Sequence, residues 1–251
     1  MHPQKEDLYA PAPPAAVATM ADRLRAAAEI ALATDLPGTL LLQIGLLALG
    51  FKSQDLMHSS RWLVVFVLCN SFLVLGMIAL LLKARNESWR VLFGTPRSWR
   101  HEVAVALLLV PALFLATIMV AVFFRQFLPQ MVTKENRLLA LIQTPADVAF
   151  FLLVSIVAGG IKEEVQRAFV LRRFEKYLGG IFLGLAVWSV YFGIGHAPMQ
   201  GFDNAVGAGV LGLIFGLIYI WRQNLITPIV LHAVYDATVI IVYWRGLLGR
   251  S

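Results

Sequence analysis

Six ionisable side chains interrupt apolar stretches in the last hundred residues of this 251-residue chain. A charged side chain at the centre of a membrane helix costs about 2.5 to 3.5 kcal/mol on translocon-based scales, so its presence indicates a functional site. Carboxylates and imidazoles are also the side chains that most often transfer protons in catalysis. The six residues are Glu163, Glu164, Arg167, His196, His232 and Asp236.

The two adjacent glutamates and Arg167 belong to one predicted helix. Successive helical residues are about 100° apart, so Arg167 projects between Glu163 and Glu164 and can pair with either. One guanidinium opposite two carboxylates leaves one acid available for chemistry; the alternative is a purely structural ion pair. Gly159 and Gly160 stand just before the glutamates, where they predict a kink or the close approach of another backbone.

The two histidines differ in their surroundings. His196 comes at the end of an apolar segment, a position more typical of an interfacial histidine than of a catalyst. His232 lies inside the last apolar segment, and the spacing of four places Asp236 on the same helical face. The Asp236 carboxylate is therefore predicted to hold the His232 imidazole in one tautomer and orientation.

Composition places these residues in a membrane protein. Hydrophobic residues make up 59% of the chain and charged residues 14%, and the mean hydropathy is +0.75, too apolar for a soluble domain. We predict an all-α, polytopic bundle of about seven to eight transmembrane helices. Thr144, Pro145 and Asp147 predict a sharp start for the helix that carries the glutamates. The candidate spans are 38–51, 62–82, 103–124, 148–170, 181–196, 204–221 and 225–244.

Two regions are predicted along the chain. Residues 1–35 form an N-terminal tail that begins with a proline-rich stretch at Pro11, Pro13 and Pro14 and continues in an alanine-rich run. That run predicts an amphipathic surface helix, with simple disorder as the alternative. Residues 36–251 form the helix bundle, with the motif region at about 145–245. No cleavable signal peptide is visible.

Basic residues account for the net charge of +6 and are concentrated in three connections between spans. If successive connections alternate between the two sides of the membrane, these three lie on the same side. Because loops rich in lysine and arginine face the cytoplasm, this predicts a cytoplasmic N-terminus in a cell inner or plasma membrane. The lipid bilayer thus explains the charge, and we expect no nucleic acid partner. The residues are Lys83, Arg85, Arg90, Arg97 and Arg100, then Arg172, Arg173 and Lys176, and finally Arg222.

In this order and at these spacings, the motifs resemble those of the CPBP family of intramembrane proteases, which includes CAAX-processing and bacteriocin-processing enzymes. The first motif is the glutamate pair with Arg167, the second is Phe-x-x-x-His ending at His196, and the third is His-x-x-x-Asp from His232 to Asp236. The resemblance implies a helical bundle with a water-accessible cavity that opens into the membrane. It also implies hydrolysis of a peptide bond in a membrane-embedded protein or peptide substrate.

This sequence departs from the family pattern at two places. The family has three residues between the second glutamate and the arginine, whereas only Val165 and Gln166 stand here. By position in the pair, Glu163 corresponds to the acid that activates water and Glu164 pairs with Arg167; alignment on the arginine shifts these roles by one residue. The CAAX proteases have asparagine where Asp236 stands, and an ionised aspartate would repel an oxyanion.

The mechanism implied is that Glu163 and His196 bind and deprotonate a water, while His232 stabilises the tetrahedral oxyanion. No cofactor is favoured, because resemblance to the CAAX branch implies a metal-free glutamate protease. The alternative is zinc held by His196, His232 and Glu163, although the chain has no His-Glu-x-x-His motif.

Two further expectations bear on this interpretation. A non-enzymatic transporter or scaffold can use the same buried residues for a proton relay or for assembly, although the absence of an evident internal repeat favours a protease. On straight helices, Glu163 and His232 would lie about 8 residues from the cytoplasmic ends of their spans, but His196 would lie about 16 residues from the end of its span. Because the three side chains can meet only at the same depth, we predict a bent or re-entrant segment near Gly193 and Gly195.

Overall fold

The computed structural model describes residues 18–50, 59–96 and 98–246. Within these ranges the protein is built from helices and has no strand, which confirms the all-α prediction. The proline-rich stretch at Pro11, Pro13 and Pro14 lies outside the described residues, as do Arg97 and residues 51–58 and 247–251. The α-helices are α1 Met20–Ala33, α2 Asp35–Ala48, α3 Ser60–Ala84, α4 Arg90–Phe93, α5 Trp99–Phe127, α6 Arg137–Ala140, α7 Pro145–Val154, α8 Glu164–Tyr177, α9 Ile181–Gln200, α10 Phe202–Arg222 and α11 Ile226–Trp244, with a π-helix at Ser155–Glu163 and a short 3-10 helix at Pro129–Met131.

Five of the described helices are long and apolar enough to cross a membrane, namely α3, α5, α9, α10 and α11. Helices α1 and α2 together form a sixth candidate, bent by 48° at Thr34. The described part of the chain therefore offers five or six apolar spans, whereas the sequence predicted about seven to eight. The helical run from Pro145 to Tyr177 is not among these candidates, because the π-helix divides it into segments of 10, 9 and 14 residues, each too short to cross a membrane alone.

The helix that carries the glutamates begins where the sequence predicts. Thr144 caps it, with the Thr144 side chain accepting a hydrogen bond from the backbone of Asp147 at 3.2 Å and Asp147 Oδ2 accepting from the Thr144 backbone at 2.8 Å. Ser60 at the start of α3 donates to the other oxygen of Asp147 at 2.5 Å. The reciprocal cap satisfies backbone donors that the first helical turn leaves unpaired and joins α7 to α3.

The same run extends past its predicted end near Val170 to Tyr177, because its terminal charges are paired rather than solvated. Arg173 is 1% exposed and donates to Glu29 of α1 and to Glu87, each at 2.7 Å. Arg85 at the end of α3 donates to the same Glu29 carboxylate at 2.7 Å. These bonds fix α1 against α8 and α3, so the helix at Met20–Ala33 is packed into the bundle.

The three basic connections meet at one end of the bundle. Arg85 and Arg173 share Glu29, which joins the first connection to the second. The third joins the first through Arg222, whose guanidinium makes two hydrogen bonds to Glu102 at 2.7 and 2.9 Å. The face of the membrane to which this end belongs stays a prediction.

We expect the Glu29→Gln substitution to destabilise the protein by about 3 to 5 kcal/mol, because it leaves the largely buried Arg85 without its ion-pair partner and Arg173 with Glu87 alone. Thermal denaturation of the purified protein in detergent measures the effect. Asp22→Asn is the matched control, since Asp22 lies on the exposed first turn of the same helix and its capping contribution is about 1 kcal/mol. Equal losses in the two variants would contradict the prediction.

Candidate active site

The candidate residues lie around a cavity of about 270 Å³ between α2, α3, α9 and the π-helix. Glu163 and His196 both line it. Behind Glu163, α11 packs against the π-helix and brings His232 and Asp236 to the same place. The structure therefore gathers residues that are separated by up to 73 positions in the sequence.

The π-helix determines how closely α11 approaches. A β-carbon added at Gly159 would lie 2.5 Å from Asp236 Oδ2, and one added at Gly160 would lie 2.9 Å from the Ala233 β-carbon. At Gly160 a side chain larger than hydrogen would displace α11, because the Ala233 β-carbon and the Ile229 carbonyl are fixed to its backbone, whereas at Gly159 the Asp236 carboxylate would have to move aside. Of the two roles predicted for these glycines, close approach of another backbone is the one seen. π-helical segments are rare and frequently occur at functional sites.

Glu163 presents its carboxylate to the cavity. Its side chain is 16% exposed, with Oε1 at 3.3 Å from Lys162 Nζ and Oε2 at 3.7 Å from His232 Nε2. The second distance is too long for a hydrogen bond, and the Glu163 side chain borders the cavity. Glu163 is therefore placed to accept a proton from a molecule in the cavity.

Glu164 points the other way and is sealed inside the protein. It is 1% exposed and forms an ion pair with Arg167, which is 0% exposed. The Arg167 guanidinium lies between two aromatic rings, 5.0 Å from the centroid of Phe192 and 5.3 Å from that of Phe215. The two glutamates, equivalent in the sequence, thus have different environments, and the arginine belongs to the second.

His232 is oriented by Glu164. Its Nδ1 lies 2.7 Å from Glu164 Oε1, and its ring stacks on Phe215 with centroids 4.4 Å apart. Asp236 Oδ2 lies 3.5 Å from the other ring nitrogen, Nε2, beyond ordinary hydrogen-bond length. The hydrogen bond that orients the imidazole, expected from Asp236, is therefore made by Glu164, and Nε2 faces Glu163 and Asp236.

His196 reaches the cavity from a helix that is continuous from Ile181 to Gln200, so the predicted bent or re-entrant segment is not needed. Glu163 lies 14 residues before the end of α8 at Tyr177, and His196 lies 15 residues after the start of α9. At 1.5 Å per residue, both are about 22 Å from the connection between the two helices. For Glu163, the mismatch in depth came from ending the glutamate helix too early, at about Val170, whereas His232 lies only 6 residues after the start of α11 at Ile226.

The ring of His196 is held by its own helix. Nδ1 lies 2.7 Å from the carbonyl oxygen of Phe192, one turn earlier, and the two rings have centroids 4.5 Å apart. When Nδ1 carries the proton and donates it to that carbonyl, Nε2 is left as an acceptor. His196 can then accept a hydrogen bond from a molecule in the cavity.

Within the described ranges, no group of three or more histidine, cysteine, aspartate or glutamate side chains is arranged to hold a metal ion. His232 has one ring nitrogen occupied by Glu164, and His196 has one occupied by Phe192. Metal-binding histidines commonly make hydrogen bonds of this kind through their second ring nitrogen, so the alternative of zinc held by His196, His232 and Glu163 stays a prediction.

Two charged residues of the cavity, Lys162 and Asp35, were missed in the sequence analysis. Lys162 is 6% exposed and binds Asp35 at 2.9 Å as well as Glu163. Asp35 in turn accepts a hydrogen bond from Asn70 at 2.8 Å. The only signal in the sequence is a lysine next to two glutamates inside an apolar run, and its partner Asp35 is 127 residues away.

Fold and site together define a helical integral membrane protein with acids and imidazoles around a cavity among its helices. Residues 144–238 match the family model described as type II CAAX prenyl endopeptidase Rce1-like. The match includes all six candidate residues from Glu163 to Asp236 and confirms the resemblance to the CPBP family of CAAX proteases. This region is accordingly similar to an Rce1-like protease domain. Comparisons with curated proteins and with solved structures gave no match to the chain.

Proposed function

We propose that this protein is an intramembrane endopeptidase that cleaves a membrane-associated protein or peptide precursor through a water activated by Glu163. One observation carries the proposal: Glu163 is the glutamate of the pair that faces the cavity, next to His232, whereas Glu164 is buried in an ion pair. The match to a CAAX endopeptidase supports the reaction class.

The proposed reaction begins with a water between Glu163 and His196. The Glu163 carboxylate takes one proton from this water, His196 Nε2 accepts a hydrogen bond from it, and the resulting hydroxide oxygen forms a bond to the scissile carbonyl carbon. Glu163 then gives the proton to the amide nitrogen as the C–N bond breaks. One carboxylate thus serves as base and then as acid, a type of catalysis worth about 100-fold to 10,000-fold in rate.

The negative charge that develops on the carbonyl oxygen of the substrate needs a hydrogen-bond donor, and His232 is the candidate. With Nδ1–H donated to Glu164, a protonated imidazole has its second donor, Nε2–H, aimed at the space beside Glu163. Phe215 supports the ring from one face. A donor held in place before the reaction stabilises an oxyanion without the cost of reorganisation. Glu164 and Arg167 act as positioning residues in this scheme, because they touch His232 or its partner rather than substrate.

The cavity wall and the outer surface favour a substrate that arrives from the membrane. Apolar and aromatic side chains such as Phe66, Val67 and Phe192 share the wall with Glu163 and His196. Many large apolar side chains of α3 and α5 are exposed on the outside of the bundle, Phe72 and Leu108 among them, as expected for contact with lipid. The proposal therefore includes a lipid-embedded substrate and no nucleic acid.

The proposal is tested by comparing protein termini in membranes from cells that carry wild type or Glu163→Gln at matched expression. A precursor that accumulates uncut only in the variant is the expected result, because the substitution removes the proposed base without changing the size of the side chain. The new terminus found in wild type also identifies the cleavage site. If no terminus changes while the variant retains the cellular function of wild type, the protein acts as a scaffold and the catalytic proposal falls.

A further inference from the structure

Lys162 is a buried charge in the cavity wall to which the proposed mechanism assigns no role. Its ammonium lies 2.9 Å from Asp35 Oδ1 and 3.3 Å from Glu163 Oε1. Asp35 is the first residue of α2, and Asn70 of α3 donates to it at 2.8 Å. A line of polar contacts therefore runs from α3 through α2 to the glutamate that faces the cavity. An ammonium this deeply buried is stable only when paired and hydrogen-bonded.

We propose that Lys162 is a positioning residue that holds the Glu163 carboxylate at the cavity, and that Asp35, fixed by Asn70, holds the Lys162 ammonium. The inference rests on the proposed function, because it assigns Lys162 a role that is exerted through Glu163.

The need for such a residue follows from the charges around His232. Three carboxylates surround this imidazole, with Glu164 at 2.7 Å, Asp236 at 3.5 Å and Glu163 at 3.7 Å from its ring nitrogens. Glu164 is neutralised by Arg167. Lys162 is the cation on the side of Glu163, and without it the Glu163 carboxylate would face its acidic neighbours with only the long contact to His232. A displacement of about 1 Å in a catalytic group lowers a rate about 100-fold.

A simpler role for Lys162 is to tie α2 to the π-helix through Asp35. The two roles differ in what the partner residue should do. If Lys162 only ties the helices together, loss of Asp35 and loss of Lys162 break the same ion pair and have equal effects. If Lys162 positions Glu163, Asp35→Asn is the milder change, since it leaves the ammonium next to Glu163 and keeps a hydrogen-bond acceptor.

The experiment measures kcat and KM of the full-length purified protein with a peptide that spans the cleavage site found by terminus comparison. We expect Lys162→Met to lower kcat about 100-fold while KM changes less than about twofold, because the carboxylate is misplaced rather than substrate binding lost. The kcat of Lys162→Arg should be at least about tenfold higher than that of Lys162→Met, since arginine returns the positive charge. Asp35→Asn should lower kcat less than about tenfold, because the Lys162 ammonium stays beside Glu163.

Lys176→Met is the matched control, because Lys176 follows on the same helical run, is exposed and contacts Glu87 at 3.6 Å and the ring of Tyr177 at 5.2 Å, outside the cavity; it should leave kcat unchanged. Should Lys162→Met not yield folded protein, Lys162→Gln compared with Lys162→Arg makes the same distinction between a neutral and a charged side chain. The inference is overturned if the neutral variant keeps the wild-type kcat, if Lys162→Arg does not improve on it, or if Asp35→Asn has an equal effect. Failure of the proposed function looks different, because then Glu163→Gln cleaves as fast as wild type or wild type does not cleave.

Discussion

Purified Glu163→Gln should cleave its substrate peptide about 100-fold to 10,000-fold more slowly than wild type, with the loss in kcat. The amide has the shape of the carboxylate but cannot take a proton from water. The fold should be preserved, because the Glu163 side chain borders the cavity and Lys162 keeps its pair with Asp35. Rates over a range of peptide concentrations, together with a thermal denaturation curve, measure both quantities.

Glu175→Gln is the control for this change. Glu175 lies later in the same helical run, is 44% exposed and pairs with Arg172, so its loss should not affect cleavage. The metal content of the purified protein, and its activity after treatment with a chelator, are measured in the same experiment. If Glu163 activates the water without a metal, cleavage should not depend on bound metal. A rate for Glu163→Gln equal to that of wild type would contradict the assignment of the base. A stoichiometric metal whose removal stops cleavage would replace it with metal-assisted hydrolysis.

Local signals in the sequence predicted most of the fold around the site. The Thr144 and Asp147 cap needs only neighbouring residues, and the apolar segments that became α3, α5, α9, α10 and α11 are recognisable by length and composition. The end of α8 could not be predicted in this way. Arg173 resembles a solvated loop cation until its partner Glu29, 144 residues away, is brought against it. Long-range pairing of this kind leaves no local pattern.

In the candidate site, too, local features could be predicted from the sequence and long-range contacts could not. Residue types and spacing identified the six ionisable residues, because buried charge is unusual enough to notice in one sequence. They did not predict that Glu164, rather than Asp236, would supply the hydrogen bond to His232. The Asp236 expectation assumed a partner on the same helix, four residues away, whereas Glu164 is 68 residues away and reaches the ring because Gly159 and Gly160 let α11 approach the π-helix.

The other large effect is expected at the buried pair of Glu164 and Arg167. Glu164→Leu removes the partner of a guanidinium with no exposure to solvent, which should destabilise the protein by about 3 to 5 kcal/mol. It also removes the acceptor that orients His232, so cleavage should be lost as well. Glu175→Leu makes the same change in a second pair on this helix, also three residues apart but with its glutamate exposed, and should cost about 1 kcal/mol or less.

The double variant Glu164→Leu with Arg167→Met separates the structural role of the pair from its role at the site. Apolar replacement of a whole buried ion pair is often neutral or stabilising, and the methionine side chain would still pack between the rings of Phe192 and Phe215, so thermal stability should recover most of the loss. Cleavage should not recover, because His232 still lacks its acceptor at Nδ1. Recovery of both stability and cleavage would mean that Glu164 serves only to neutralise Arg167 and that His232 is oriented by another group, with Asp236 the nearest candidate.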